Sequence, residues 1–127
     1  MAGAAPMTLI AFLQAQNCSN LPASWRHPAA GNFMAAEYDR RIGRTLEEGR
    51  FHLAFFDHRL AMPDVYSDDF KATVREGIRT VTLDPMLCAT ALGMATSQLG
   101  VGVTHYEPFH VARIFAMLDQ LTGGWAA

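Results

Sequence analysis

Leu53-Ala54-Phe55-Phe56-Asp57 decides the fold: four apolar residues in a row, too few for a stable helix, end on a carboxylate. A stretch that is apolar at every position, not at alternate ones, suits a strand buried on both faces, as in a parallel sheet. Leu9-Ile10-Ala11-Phe12-Leu13 shows the same pattern upstream, and Gly100-Val101-Gly102-Val103-Thr104 reads as a short third strand. Between the first two strands, the stretch from Phe33 to Arg50 spaces Tyr38, Ile42 and Leu46 at intervals of four, with Glu37, Arg40, Arg41, Arg44, Glu47 and Glu48 on the other side. That spacing predicts an amphipathic helix stopped by Gly49. Asp84-Pro85 reads as an N-cap followed by a proline in the first turn, launching a helix through Leu87, Ala91 and Met94 to about Gln98. Pro108 opens another, with Val111, Ile114, Phe115, Leu118 and Leu121 on one side and Gly123-Gly124 at its end. The charged stretch from His58 to Leu83, punctuated by Pro63 and Gly77, has no strand period and reads as a long functional or flexible loop.

Strand starts recur roughly every 45 residues, the length of a βα unit with a generous loop. Strict alternation predicts an α/β fold with a parallel sheet and right-handed crossovers. The helices then cover one face of a curved sheet, as in a barrel, or both faces, as in a doubly wound fold. Periodicity leaves both open.

The 127 residues are 50% hydrophobic and 17% charged, a composition for one globular domain with a sizeable core. A net charge of −2, with both signs mixed along the chain, supplies no basic stripe for nucleic acid and no polybasic tail for a membrane surface, so neither is an expected partner. Cys18 and Cys88 lie far apart with no CxxC pair, which argues against a disulfide framework or a zinc knuckle and for reduced thiols in a cytoplasmic setting. From Met1 to Gln16 no basic residue precedes the apolar run, and Gln14 and Gln16 break it, so it reads as neither a secretory signal nor a membrane span.

Ligands gather at the carboxyl ends of parallel strands, where the βα loops vary without disturbing the core. Three groups of residues qualify: Gln14 with Asn17, Asp57 with His58 and Arg59, and Thr104 with His105 and Tyr106. Asp57 stands out, because a carboxylate directly after four apolar residues is partly desolvated and has to find donors. The plainer alternative is that it caps the following turn through its own side chain. The histidines do not make a metal site: His105 and His110 are five apart and miss the i, i+4 spacing of a chelating pair, and His52 at the start of a strand packs or faces a helix. No metal is expected. Gly100-Val101-Gly102 lies within a strand and lacks the third glycine of a dinucleotide fingerprint, and no Walker-type loop or GxSxG elbow is present. Arg113 reads as an exposed pairing partner, and Met86, Met94 and Met117 as core filler.

Particular segments resemble a known family. Met7-Thr8-Leu9-Ile10-Ala11-Phe12, Trp25-Arg26-His27-Pro28 and Arg44-Thr45-Leu46-Glu47-Glu48-Gly49-Arg50-Phe51 are similar to the opening of monooxygenases of the bacterial luciferase superfamily, the type acting on nitrilotriacetate or dibenzothiophene sulfone. The run from Tyr106-Glu107-Pro108-Phe109-His110 through Ala112-Arg113-Ile114-Phe115 to Leu118-Asp119-Gln120-Leu121-Thr122-Gly123-Gly124 is similar to that family's most distinctive segment. The resemblance implies a (β/α)₈ barrel, of which residues 1–127 would be a single incomplete domain holding about the first three βα units. It implies an oxidoreductase that uses reduced FMN as co-substrate and O₂ to oxygenate a small organic molecule, with a separate NAD(P)H-dependent flavin reductase as partner. It places Asp57 at the family's acidic position near the isoalloxazine ring and Thr104 at its hydroxyl position after the third strand; both are expected flavin contacts. Here only His105 separates Thr104 from Tyr106, where the family carries a longer run, and Trp125 stands where arginine is common.

A barrel of this type needs eight strands and about 250 residues. Three strands leave open edges and an uncovered apolar face, so the chain alone is expected to be inactive and to form homo-oligomers. Two other functions remain: a non-catalytic, self-associating interaction module, and part of a metal-dependent barrel hydrolase drawing ligands from His105, His110 or Asp57.

Overall fold

The structure is a computed structural model that describes residues 6–16, 26–28, 30–59, 61–64, 69–104 and 107–124. Asn17, Cys18, Trp25, His105, Tyr106 and Trp125, singled out above, lie outside the described residues. In chain order the elements are β1 (Ile10–Gln14), α1 (Ala36–Glu48), β2 (Leu53–Asp57), α2 (Lys71–Glu76), α3 (Pro85–Gly93), β3 (Gly100–Val103) and α4 (Pro108–Thr122). The strands form one parallel sheet in the order β1-β2-β3.

Register sorts the strand side chains into two faces. Ala11 pairs with Ala54 and Ala54 with Val101; one step of the pleat later, Leu13, Phe56 and Val103 line up on the same side. Ala54, Phe56 and Val101 are buried, and they share one cluster with Met86, Cys88, Ala89 and Leu92 of α3 and Leu118 of α4. Ile42 and Leu46 of α1 pack against that cluster from the same side. The opposite face carries Ile10, Phe12, Leu53 and Phe55; Phe12 is 61% exposed, and its ring centroid stands 6.2 Å from that of Phe55. Of the two arrangements the sequence left open, the helices take the one-sided, barrel-like one.

Several boundaries and faces differ from expectation. The first strand sits one residue later, and α1 starts at Ala36. Gly49 ends α1 with an ordinary φ of −74°, and it is Arg50 that turns left-handed at φ 59°. The stretch from His58 to Leu83 contains the short helix α2, stopped by Gly77 at φ 65°. Asp84 caps α3 as expected, its carboxylate accepting from the Met86 amide at 2.8 Å. The helix ends at Gly93, not near Gln98, where the Thr96 hydroxyl donates to the Leu92 and Gly93 carbonyls.

The face of α3 is the main correction: Leu87 and Met94 are exposed, while Pro85, Met86, Cys88, Ala89, Leu92 and Gly93 turn inward. A helix apolar almost all round carries no stripe from which to read its buried side. On α1 the buried positions are Asp39 and Gly43, a quarter-turn from the expected line. Leu121 and Met117 of α4 are exposed, so of the three methionines read as filler only Met86 is in the core.

Glu47, assigned by pattern to the solvent side of α1, ties that helix to the turn before β3. One carboxylate oxygen accepts from the amides of Ser97 at 2.7 Å and Gln98 at 2.6 Å. Burial alone would raise this carboxyl, but the Ser97 and Gln98 donors outweigh it and hold it below its ordinary value. Because the folded value is the lower one, the stabilisation is complete above the ordinary carboxylate range and fades as pH falls through the folded value. Glu47→Gln is expected to lower unfolding free energy by about 1 kcal/mol at neutral pH, the site being open enough for water to screen it. In urea titrations the gap between the two proteins should close as the solution is acidified; a gap constant with pH would show that the charge is not what matters.

Candidate functional site

The carboxyl ends of β1 and β2 lie side by side because Gln14 is in register with Asp57. Thr104 follows β3 one position beyond the pairing of Phe56 with Val103, so all three chain ends meet at one rim. Asp57 is the centre. Its side chain is only 15% exposed, and Oδ2 accepts from Gln14 Nε2 at 3.1 Å and from Arg59 Nε at 3.2 Å. Gln16 Nε2 donates to Gln14 Oε1 at 3.0 Å. Thr104 Oγ1 accepts from the His58 amide at 3.3 Å, tying the residue after Asp57 to the end of β3. A carboxylate this enclosed, with an amide and a guanidinium on one oxygen, is held in one orientation.

Below the rim, toward the middle of the sheet, lie Phe12 and Phe55. A shallow depression opens beside the rim. It is lined by His58, Arg59, Met62 and Arg79, and runs over roughly 430 Å³ to Thr82 and Asp84. The β2–α3 connection forms the far wall and returns to β1, where Gln16 bridges Thr82 and the Leu83 amide donates to Ala15 O at 2.7 Å.

The structure thus brings Gln14, Asp57, His58, Arg59 and Thr104 together. It sets the other candidates apart: His110 packs edge-on against Phe109 on the exposed side of α4, at 5.7 Å between ring centroids, and His52 Nδ1 accepts from the Leu9 amide at 3.1 Å across the sheet's other end. His52 therefore joins two strand starts instead of facing a helix. Among the described residues no group of three His, Cys, Asp or Glu side chains converges as metal ligands would, and no helix is long and apolar enough to cross a membrane.

Gln16 and Arg79 were missed in the sequence. Gln16 carried a usable signal, since a residue two beyond Gln14 in extended chain points to the same side. Arg79 carried none, because it reaches the rim only through the path of the long connection.

No protein-family model matches the chain. Dibenzothiophene-sulfone monooxygenase of Rhodococcus erythropolis is 40% identical over 124 residues, 93% of this chain and 27% of the relative. Among solved structures, long-chain alkane monooxygenase superimposes with a TM-score of 0.82 at 27% identity, covering 94% of this chain and 29% of that one. Riboflavin lyase, solved with modified FMN and its substrate riboflavin, gives 0.80 at 28% identity, covering 94% and 28%. The chain spans about a quarter of the length of the relatives it matches. Similarity over nearly all of its residues, together with a parallel βα fold that superimposes on theirs, makes this chain akin to part of the luciferase-like monooxygenases.

Proposed function

We propose that this chain carries part of the flavin site of a monooxygenase that uses reduced FMN and O₂ to oxygenate a small organic substrate. The observation that carries the reading is Asp57, enclosed at the carboxyl end of β2 and held by Gln14 and Arg59 beside the apolar Phe12–Phe55 surface. An isoalloxazine ring has an apolar edge and a polar edge of amide-like donors and acceptors, so an aromatic floor next to a carboxylate, two carboxamides and a hydroxyl fits it. When bound, reduced FMN supplies the electrons with which oxygen is activated. Asp57 and Thr104 are the proposed flavin contacts: the carboxylate would accept from a donor on the polar edge of the ring, and the Thr104 hydroxyl would stand beside it. Phe12 and Phe55 keep water from the reacting region.

On this reading the reduced flavin comes from a separate NAD(P)H-dependent reductase in the cytoplasm, and residues 1–127 form one incomplete barrel domain. Three strands supply a single wall of the site, so turnover by the chain alone is not expected. The test is binding of oxidised FMN, and of reduced FMN under anaerobic conditions, to the purified chain beside Asp57→Ala. Saturable binding that weakens about tenfold or more in the variant is expected, equivalent to about 1.4 kcal/mol. A folded chain that binds neither form, or binds both equally well without the carboxylate, defeats the reading.

The uncovered sheet face favours a second reading, a self-associating interaction module. Ile10 and Phe12 are 55% and 61% exposed on β1, an edge strand of the sheet. Association into a homo-oligomer is expected in size-exclusion chromatography, weakened by Phe12→Lys; a dispersed monomer at high concentration rules this reading out.

A further inference from the structure

Gln14 and Gln16 are ordered in a way that lining a rim does not require. A carboxamide has one accepting and one donating end. The oxygen of Gln14 is engaged by Gln16 Nε2, so its own NH₂ is turned to Asp57; the flipped amide would press an oxygen against the carboxylate and lose both bonds. Gln16 is fixed in turn by the backbone: it bridges Thr82, and the neighbouring Ala15 carbonyl accepts from the Leu83 amide. The chain from the returning connection to the carboxylate is therefore continuous, running from Thr82 to Gln16, Gln14 and Asp57. Arg59 Nε donates to the same oxygen, Oδ2, at 3.2 Å. Among the described residues, His58, Arg79 and Asp84 are the other charged or titratable groups around the depression beside Asp57.

We propose that Gln16 and Gln14 form a relay of positioning residues that sets the orientation of the Asp57 carboxylate, and that the seating of residues 79–84 against β1 is felt at Asp57 through it. Its consequence for ligand binding rests on the flavin reading above; the relay itself is a property of the ligand-free chain.

FMN binding to single and double variants tests the consequence. Gln14→Met, which keeps length and removes the donor, is expected to weaken binding about fivefold, and Gln16→Ala about threefold. On an Asp57→Ala background neither is expected to change binding further, because both act through that carboxylate. Losses that multiply independently in the double variants overturn the relay. Gln14→Glu adds a signature that simple structural damage would not produce: binding close to that of the unaltered chain while the introduced carboxyl is protonated and can donate, and progressive loss as pH rises and two carboxylates face each other.

A second measurement needs no flavin. In the ligand-free chain the side-chain NH₂ resonance of Gln14 should shift in Asp57→Ala and again in Gln16→Ala, with the backbone spectrum preserved. A responsive amide in a chain that binds no FMN upholds the relay and defeats the flavin reading. An amide that ignores both substitutions in a chain that binds FMN does the reverse.

Discussion

Leu92→Ala is expected to lower the free energy of unfolding by about 3 kcal/mol, a large share of the roughly 5–15 kcal/mol that holds a domain together. Leu92 of α3 is fully buried in the cluster that joins α1 and α4 to the sheet, so its removal loses both the burial of the side chain and the contacts of the cavity lining. The partner surface is Gly43 of α1, where a Cβ would stand 2.9 Å from Leu92 Cγ and 3.1 Å from Leu92 O. Gly43→Ala therefore sets two effects against each other: a gain of about 1 kcal/mol in helix propensity and an overpacking cost of about 1–3 kcal/mol. The carbonyl oxygen cannot step aside as a side-chain tip can, so the cost wins and the single variant is destabilised. With Leu92→Ala in place the clash with Cγ is gone while the approach to the backbone oxygen at 3.1 Å remains, so the same substitution should cost less than it does in the unaltered chain. Urea unfolding of the four proteins measures this. Simple additivity would mean that the approach of α1 to α3 at Gly43 is not what limits the residue there.

Cys88 should resist thiol reagents until the chain unfolds. Its side chain is 4% exposed, and its thiol is pushed from 9.0 up to about 12, first by burial and then by the negative charge of Asp39, with which it is hydrogen-bonded. Asp39 is itself raised by burial, against the pull of its bond to the thiol. A rise of about three units leaves on the order of a thousandfold less thiolate at pH 8, and only the thiolate reacts. In a Cys18→Ser background, so that Cys88 alone reports, labelling under native conditions should be at least about a thousandfold slower than after addition of urea. Asp39→Asn should recover only part of that factor, because the desolvation remains. Native labelling at the rate of a free thiol would show that the seam between α1 and α3 opens readily.

How much of the site was legible depends on where its signals sit. Asp57, Thr104, Gln14, His58 and Arg59 could be named because each ends or closely follows a strand, and parallel strands present their carboxyl ends on one side. What brings Gln14 onto Asp57 is register, and a one-residue slip would send that amide to the helix side of the sheet. Neither the Gln16 relay nor Arg79 could be read in advance, since both depend on how the connection after β2 folds back against β1.

The fold divides in the same way. Apolar runs at Ile10–Gln14, Leu53–Asp57 and Gly100–Val103, separated by helical spacing and by Asp84-Pro85, determined by themselves that the chain is a parallel βα repeat. Local backbone preference and the unbroken apolar run of each strand suffice for that. Tertiary structure alone decided which side of each helix is buried, as the inward Cys88, Leu92 and Gly43 and the outward Leu87 and Met94 show. On a helix apolar all round, or a charged one with a buried glycine, the face is chosen by the fit to its neighbours, which no local pattern encodes. Tertiary structure alone also placed α1, α3 and α4 on one side of the sheet, leaving Phe12 and Phe55 open beside Asp57, because that choice follows from the paths of the crossovers and not from the composition of the strands.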